Sequence, residues 1–240
     1  MPRFFLTGDT HNSLEIKRIS FKNWPLGHNL NKDDILCILG DFGFPWNGDK
    51  SDQYWLDWCE DRPFSIIFVD GNHVNHPLLN TYPIEKWNGG KTHVLRPHIH
   101  HLMRGEIFTI NNQSFFSMGG ARSVDKIYRK EGKTWWPEEM PSWNEMDYAA
   151  NNLRKNNFKV DYILTHCAPN YIVDKLFPYE NQHDDITNFF DKFIRMTTEF
   201  KCWFMGHYHI NRNYDNKYTI LYDNIIELLP ERMYGNNLSL

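Results

Sequence analysis

The chain has 240 residues and a net charge of −4 from 26 basic and 30 acidic side chains, long enough for one large α/β domain with a real core. Its 41% apolar and 23% charged residues read as globular and exclude a disordered tail, a collagen or a coiled coil. The acidic balance argues against a broad duplex-DNA binder, and no apolar run approaches the ~20 residues of a membrane span. The first apolar run, 3–7, ends in Gly8-Asp9-Thr10-His11. Residues 13 to 24, loosely amphipathic through Leu14, Ile16, Ile19 and Phe21, predict a helix. A second run, 35–39, ends in Gly40-Asp41-Phe42-Gly43, and Tyr54, Trp55, Trp58 and Cys59 then predict a helix over 52–62. A third run, 65–69, ends in Asp70-Gly71-Asn72-His73, with a short helix expected over 75–82. Ile107 to Ile110 and Phe115 to Met118 flank Asn111-Asn112, a hairpin signal. Ser142 and Glu145 form a capping box before a helix of about a dozen residues that ends near Asn156-Asn157. The run 160–164 leads into Thr165-His166-Cys167. Asp184 and Asp185 open a helix with Ile186, Phe189, Phe190, Phe193 and Ile194 on its apolar face. Cys202 to Met205 ends in Gly206-His207-Tyr208-His209. Tyr218 to Tyr222 and Ile225 to Leu229 flank Asp223-Asn224, a second hairpin signal.

Strand and helix alternate over the first 80 residues, as in an α/β fold with parallel strands. The hairpins add antiparallel strands. Two packed mixed sheets with helices outside fit the pattern, and residues 1–240 read as a single domain. Cys37, Cys59, Cys167 and Cys202 are scattered without a CxxC pair, and no signal peptide is visible. Reduced thiols in a cytoplasmic protein are the expectation.

Five strand-like runs end in Asp, Asn or His, usually beside a Gly. Open α/β sheets bind ligands outside the carboxyl ends of their strands, so such residues converge without being neighbours in sequence. The set is Asp9, His11, Asp41, Asn72, His73, His166, His207 and His209. Imidazoles, carboxylates and an amide oxygen suit borderline divalent metals such as manganese, iron, zinc, cobalt or nickel. The count fits two ions sharing one carboxylate, a centre that traps phosphate and activates a bridging hydroxide for in-line displacement. His73 is set apart as a group that protonates the departing oxygen. The i, i+2 spacing of His207 and His209 brings both rings to one site only if the backbone turns, for which Gly206 is the expected pivot.

Gly8-Asp9-Thr10-His11, Gly40-Asp41, Gly71-Asn72-His73, Thr165-His166 and Gly206-His207-Tyr208-His209 together resemble the five motifs of the calcineurin-like metallophosphoesterases. Order and spacing agree from residue 4 to about 210. The resemblance implies a four-layer α/β/β/α sandwich, two mixed sheets flanked by helices, with a dinuclear site at the strand ends. It implies Asp9, His11 and His209 on one metal, Asn72, His166 and His207 on the other, and Asp41 as the bridge. It implies two divalent ions, manganese foremost. Val74 stands where many relatives carry an acidic residue that braces the motif His. Phe42-Gly43-Phe44 replaces the Asp-Arg-Gly continuation of the Ser/Thr protein phosphatases. The segments Trp87-Asn88-Gly89-Gly90 and Trp135-Trp136-Pro137-Glu138-Glu139 look like a bacterial and phage branch of the superfamily, which leaves the substrate open.

The expected function is a metal-dependent phosphoric ester hydrolase, first a phosphodiesterase on a nucleotide-type substrate. A phosphomonoesterase, a protein phosphatase and a non-catalytic metal-binding scaffold for a protein partner are the alternatives. Membrane and long duplex DNA are not expected partners; a homo-oligomer stays open. Arg122 and Arg129 are the candidates for substrate binding. Gly119-Gly120-Ala121 reads either as a phosphate cradle or as a tight turn. Trp135, Trp136 and Trp143 read as an anchored loop in preference to a base-stacking wall. His98, His100 and His101 read as a solvent-facing connection in preference to a phosphate patch with Arg96 and Arg104 or an extra metal site. Asp70 is expected either to orient a ligand imidazole or to be a bonded turn residue, and Cys167 to be packing.

Overall fold

A computed structural model describes residues 2–180 and 182–229. Its strands form two mixed sheets. The first holds β1 (Phe4–Thr7), β2 (Ile35–Ile38), β3 (Ser65–Phe68), β4 (Ile84–Trp87), β5 (Gly90–Arg96), β6 (Ile99–Leu102) and β13 (Ile226–Glu227), in the order β13-β1-β2-β3-β6-β5-β4. The second holds β7 (Ile107–Ile110), β8 (Gln113–Met118), β9 (Tyr162–Thr165), β10 (Cys202–Met205), β11 (Arg212–Tyr214) and β12 (Tyr218–Ile220), in the order β11-β12-β10-β9-β8-β7. Strands β1, β2, β3 and β6 run parallel in the first sheet, and β8, β9, β10 and β12 in the second. Antiparallel strands close the edges.

The period-2 geometry of a strand divides each sheet into two faces. Phe4, Leu6, Cys37 and Ile67 of the first sheet meet Phe115, Tyr162, Leu164 and Phe204 of the second in one shared core. Phe5, Leu36, Ile38 and Ile66 point the other way. They pack on Leu56 and Cys59 of α1 (Lys50–Glu60) and on Leu79 of α2 (His76–Leu79). On the far side of the second sheet, Phe116, Ile163 and Trp203 cover Met146, Ala149 and Leu153 of α3 (Trp143–Lys155). Ile172 of α4 (Asn170–Leu176) and Ile186 of α5 (Asp185–Phe189) join that outer core, which continues through a π-helical turn at Phe190–Arg195. The inner parallel strands are thus buried on both faces, which is why β1, β2, β3, β9 and β10 are near-continuous apolar runs.

Three local expectations need correction. Residues 13 to 24 form no single helix; they make short 3-10 turns at Asn12–Leu14 and Ile16–Ile19, with a further one at Pro25–Asn29. Ile16 and Ile19, three apart, are both fully buried, and the i, i+3 overlay of a 3-10 turn is sufficient for that. Asp223-Asn224 is not a hairpin: β12 lies in the second sheet, while β13 pairs antiparallel with β1 in the first. His100 and His101 lie on β6, a fully buried strand, and not on a solvent-facing connection. The Asn111-Asn112 hairpin does form, with both residues at positive φ (52° and 61°), as a type I′ turn needs.

Candidate metal centre

All five motif loops leave the carboxyl ends of parallel strands, three from the first sheet and two from the second. Asp9 and Asp41 are fully buried there, with His166 between them. His166 Nε2 stands 3.3 Å from Asp41 Oδ2 and 3.1 Å from Asn72 Oδ1. Its Nδ1 lies 2.8 Å from the Leu39 carbonyl, to which the N–H donates, so Nε2 is the nitrogen turned into the site. His11 repeats the device: Nδ1 is 3.1 Å from Glu15 Oε2, and Nε2 is 3.6 Å from Asp41 Oδ2. His209 Nε2 is 3.0 Å from Asp9 Oδ2, and its ring stacks on Tyr222.

Three groups of side chains bring ligand atoms within 4.8 Å of one another: Asp9, His11 and His209; His11, Asp41 and His73; Asp9, Asp41 and His166. These groups, from the buried Asp9, Asp41 and His166 through the half-buried His11 and His73 to the exposed His209, could hold a metal ion. Asn72 joins them through His166, and its amide Nδ2 donates to Ser123 Oγ, so its oxygen faces inward. Ser123 in turn donates to Glu139 at 2.5 Å. His207 belongs to none of the three groups among the described residues. Its backbone N–H donates to Asp9 Oδ1, and its ring centre lies 4.9 Å from that of His166.

The donor set passes a test of fit to a cation. Asp9 Oδ2 is buried and has no hydrogen-bond donor among the described residues. Its polar neighbour is His209 Nε2, 3.0 Å away. A buried carboxylate oxygen that lacks a well-formed hydrogen bond is costly, and a cation held by both atoms would satisfy it.

Close approach explains the motif glycines. A Cβ on Gly40, which also sits at φ +97°, would stand 1.9 Å from His166 Nδ1; one on Gly71 would stand 2.1 Å from Asp41 Oδ1. Gly206 serves the same purpose, since a Cβ there would stand 2.4 Å from Asp9 Oδ1. The turn assigned to Gly206 is made by the histidines themselves, with His207 at φ 70° and His209 at 51°. His11 and Asp41 are left-handed too, at 38° and 45°, so four site residues hold backbone strain.

Charge is distributed as if the imidazoles stood in for cations. Burial opposes the charged form of His166, but attraction to Asp41 and Asp9 outweighs it and raises the ring to about 9. His11 is likewise raised to about 9, against burial, by Asp41 and Glu15. Burial would raise Asp41, yet His166 and His11 hold it well below the usual carboxylate range. For His207, burial and the neighbouring His166 outweigh the attraction of Asp9 and Asp41 and push the ring down to about 3.

Arg129 and Arg122 differ in placement. Arg129 puts its guanidinium against both nitrogens of His73, at 2.9 and 3.2 Å, and is itself held by Asp125 at 2.7 Å. A basic group therefore braces His73. Burial first, and then Arg129, lowers the His73 pKa. Arg122 stays at the rim, 3.8 Å from Asp184.

The phosphate-cradle reading of Gly119-Gly120-Ala121 does not hold. Gly120, Ala121 and Ser123 already donate their N–H groups to the Asp70 carbonyl, the Glu139 carbonyl and the Glu139 carboxylate. Trp135 and Trp136 are buried, Trp136 edge-on to Trp46, so they anchor the loop and form no stacking wall; Trp143 is 69% exposed on α3. Asp70 contacts none of the proposed ligand imidazoles. It takes Arg104 at 2.6 and 3.0 Å and His101 at 3.1 Å. Arg104 is therefore committed to Asp70, and Arg96 to Asp57, so no phosphate patch forms with His98. Cys167 is buried, and burial pushes its thiol up, as expected of a packing residue.

The supporting residues Glu15, Ser123, Glu139 and Arg104 carry no sequence signal of their own except Glu15, four residues after His11. Neither a comparison with protein-family models nor a search of curated proteins returns a match to this chain.

Proposed function

We propose that this chain is a dinuclear-metal phosphoesterase with the metallophosphoesterase fold, acting first on phosphodiesters of nucleotide type. The observation that carries the reading is the convergence of Asp9, His11, Asp41, Asn72, His166 and His209 from five strand ends into overlapping groups of ligand atoms around the buried Asp9 and Asp41. Asp9, His11 and His209 would hold one ion, Asn72, His166 and His207 the other, and Asp41 both. When bound, two divalent ions supply Lewis-acid activation of water and neutralise phosphoryl charge. The protein's share is orientation: Leu39 and Glu15 fix the ligand tautomers, and Ser123 with Glu139 fixes the Asn72 amide. His73 would give a proton to the departing oxygen only after substrate phosphate draws Arg129 off its ring, since burial and Arg129 disfavour its charged form, and Arg129 would then meet the phosphoryl oxygens.

The test is hydrolysis by metal-stripped protein reloaded with manganese, zinc, iron(II) or magnesium, with Asp41→Asn as the blank. Turnover of a nitrophenyl phosphodiester above that blank is expected, faster than that of the monoester. No turnover with two ions bound per chain would sink the enzymatic reading in favour of a binding scaffold.

A further inference from the structure

A cavity of about 470 Å³ opens beside His207 and His209 and is lined in part by α4 and the segment after β8. That volume lies in the range of small-molecule sites. Val124, Val173 and Phe177 give it apolar walls, and Asp184 and Arg122 are its charged groups. Val173 is buried in the outer core, whereas Val124 is 77% exposed at the mouth. Asp184 caps α5, its Oδ1 accepting the Thr187 N–H at 2.9 Å. Its Oδ2 has Arg122 Nε at 3.8 Å, beyond hydrogen-bond reach. A carboxylate oxygen thus stands in a mostly apolar cleft beside two of the proposed ligand imidazoles. A flat ring with an N–H edge fits that chemistry: the faces take the apolar walls, and the N–H meets the acceptor.

We propose that this cavity is the subsite for the organic arm of the ester and that it takes a nucleobase, with Asp184 accepting a base N–H and Arg122 on the phosphate side. The inference rests on the phosphoester reading and goes beyond it in naming where the substrate is recognised.

The experiment compares three diesters on the manganese-loaded full chain: methyl nitrophenyl phosphate, phenyl nitrophenyl phosphate and thymidine 5′-(nitrophenyl phosphate). KM for the thymidine diester is expected at least tenfold below that for the methyl diester. Methylation of the thymine ring nitrogen should forfeit most of that gain. Val124→Trp, which fills the mouth from an exposed position, should raise the thymidine KM at least tenfold more than the methyl KM. Equal KM values for the methyl and thymidine diesters overturn the subsite, as does an equal penalty from V124W on both. A phenyl diester as good as the thymidine one, or no loss on methylation, overturns the nucleobase assignment. If none is hydrolysed with two ions bound, the phosphoester reading has failed, and calorimetric titration with thymidine 5′-monophosphate decides the cavity. Binding weakened at least tenfold by V124W sustains it; no binding, or binding that ignores V124W, overturns it.

Discussion

His11 and His166 hold protons up to about pH 9 because Asp41, with Glu15 for one and Asp9 for the other, favours their charged forms over the cost of burial. Metal ligation needs those imidazoles neutral. Loading the centre at pH 7 should therefore release close to two protons, and apparent affinity should climb with pH until about 9. Titration calorimetry in buffers of different ionisation enthalpy reads this directly; heats independent of the buffer would contradict it. Arg104 makes a second residue-scale case. It is 7% exposed, bonded to the fully buried Asp70 and also to Glu145. Arg104→Ala would leave the buried Asp70 charge with His101 as its one remaining partner in this group, a loss of up to about 3–5 kcal/mol read as a drop in the denaturation midpoint. The Asp70 loop leads straight into Asn72 and His73, so metal content should fall with it. Sequence reading brought out Asp9, Asp41, Asn72 and the histidines because each ends an apolar run beside a small residue. It named Arg104 and Glu139 without their bracing roles, because their partners lie 34 and 16 positions away. It also took His100 and His101 as exposed, since an imidazole counts as polar until a buried partner such as Asp70 or Trp87 is known.

At the scale of elements, termini set by local chemistry were legible. The Ser142–Glu145 box caps α3 with both reciprocal bonds in place. Ser142→Ala should cost about 1 kcal/mol, measured by chemical denaturation, and leave metal content unchanged. A loss of several kcal/mol would mean that the cap also holds the neighbouring Arg104–Glu145 contact. The Asn-Asn hairpin was legible for the same reason: two residues that tolerate φ > 0 sit between apolar runs. Asp223-Asn224 carries a similar local signal and connects two different sheets. A turn signal says that the chain reverses or bends; it does not say which strand receives it. Helix α4 was missed because its apolar residues Ile172, Val173 and Leu176 fill barely two turns after Pro169. The helix expected over 13–24 failed in the opposite way, its amphipathic pattern being spent on two separate turns.

Across the whole molecule, buried neutral histidines make stability depend on pH. Burial lowers His76 and His93 to about 4 each, against an ordinary value of 6.5. The unfolded chain then binds more protons than the folded one between 6.5 and 4, so stability falls as pH drops through that window. Each shift is worth on the order of 3 kcal/mol when complete. His11 and His166 do not offset it, because below 6.5 they are charged in both states. Denaturation midpoints of the metal-free protein should therefore drop from pH 7.5 to 4.5, and His76→Gln should flatten the dependence; a flat profile in the parent would contradict it. Two packed mixed sheets with helices outside were foreseeable from the alternating runs and hairpin signals, whereas the contacts between them were not. One of those contacts has a mechanical meaning. Asp9, from the first sheet, accepts the His207 N–H from the second, and Gly206 lies against Asp9 and the Leu39 carbonyl. At this end the sheets are stitched by directional polar bonds, and at the far end Asn111 donates to the Pro2 carbonyl and the Thr109 N–H to the Asn88 carbonyl, with the apolar core between. The sandwich is therefore riveted at both rims, so that neither sheet can slide along the other without breaking a bond whose direction is fixed.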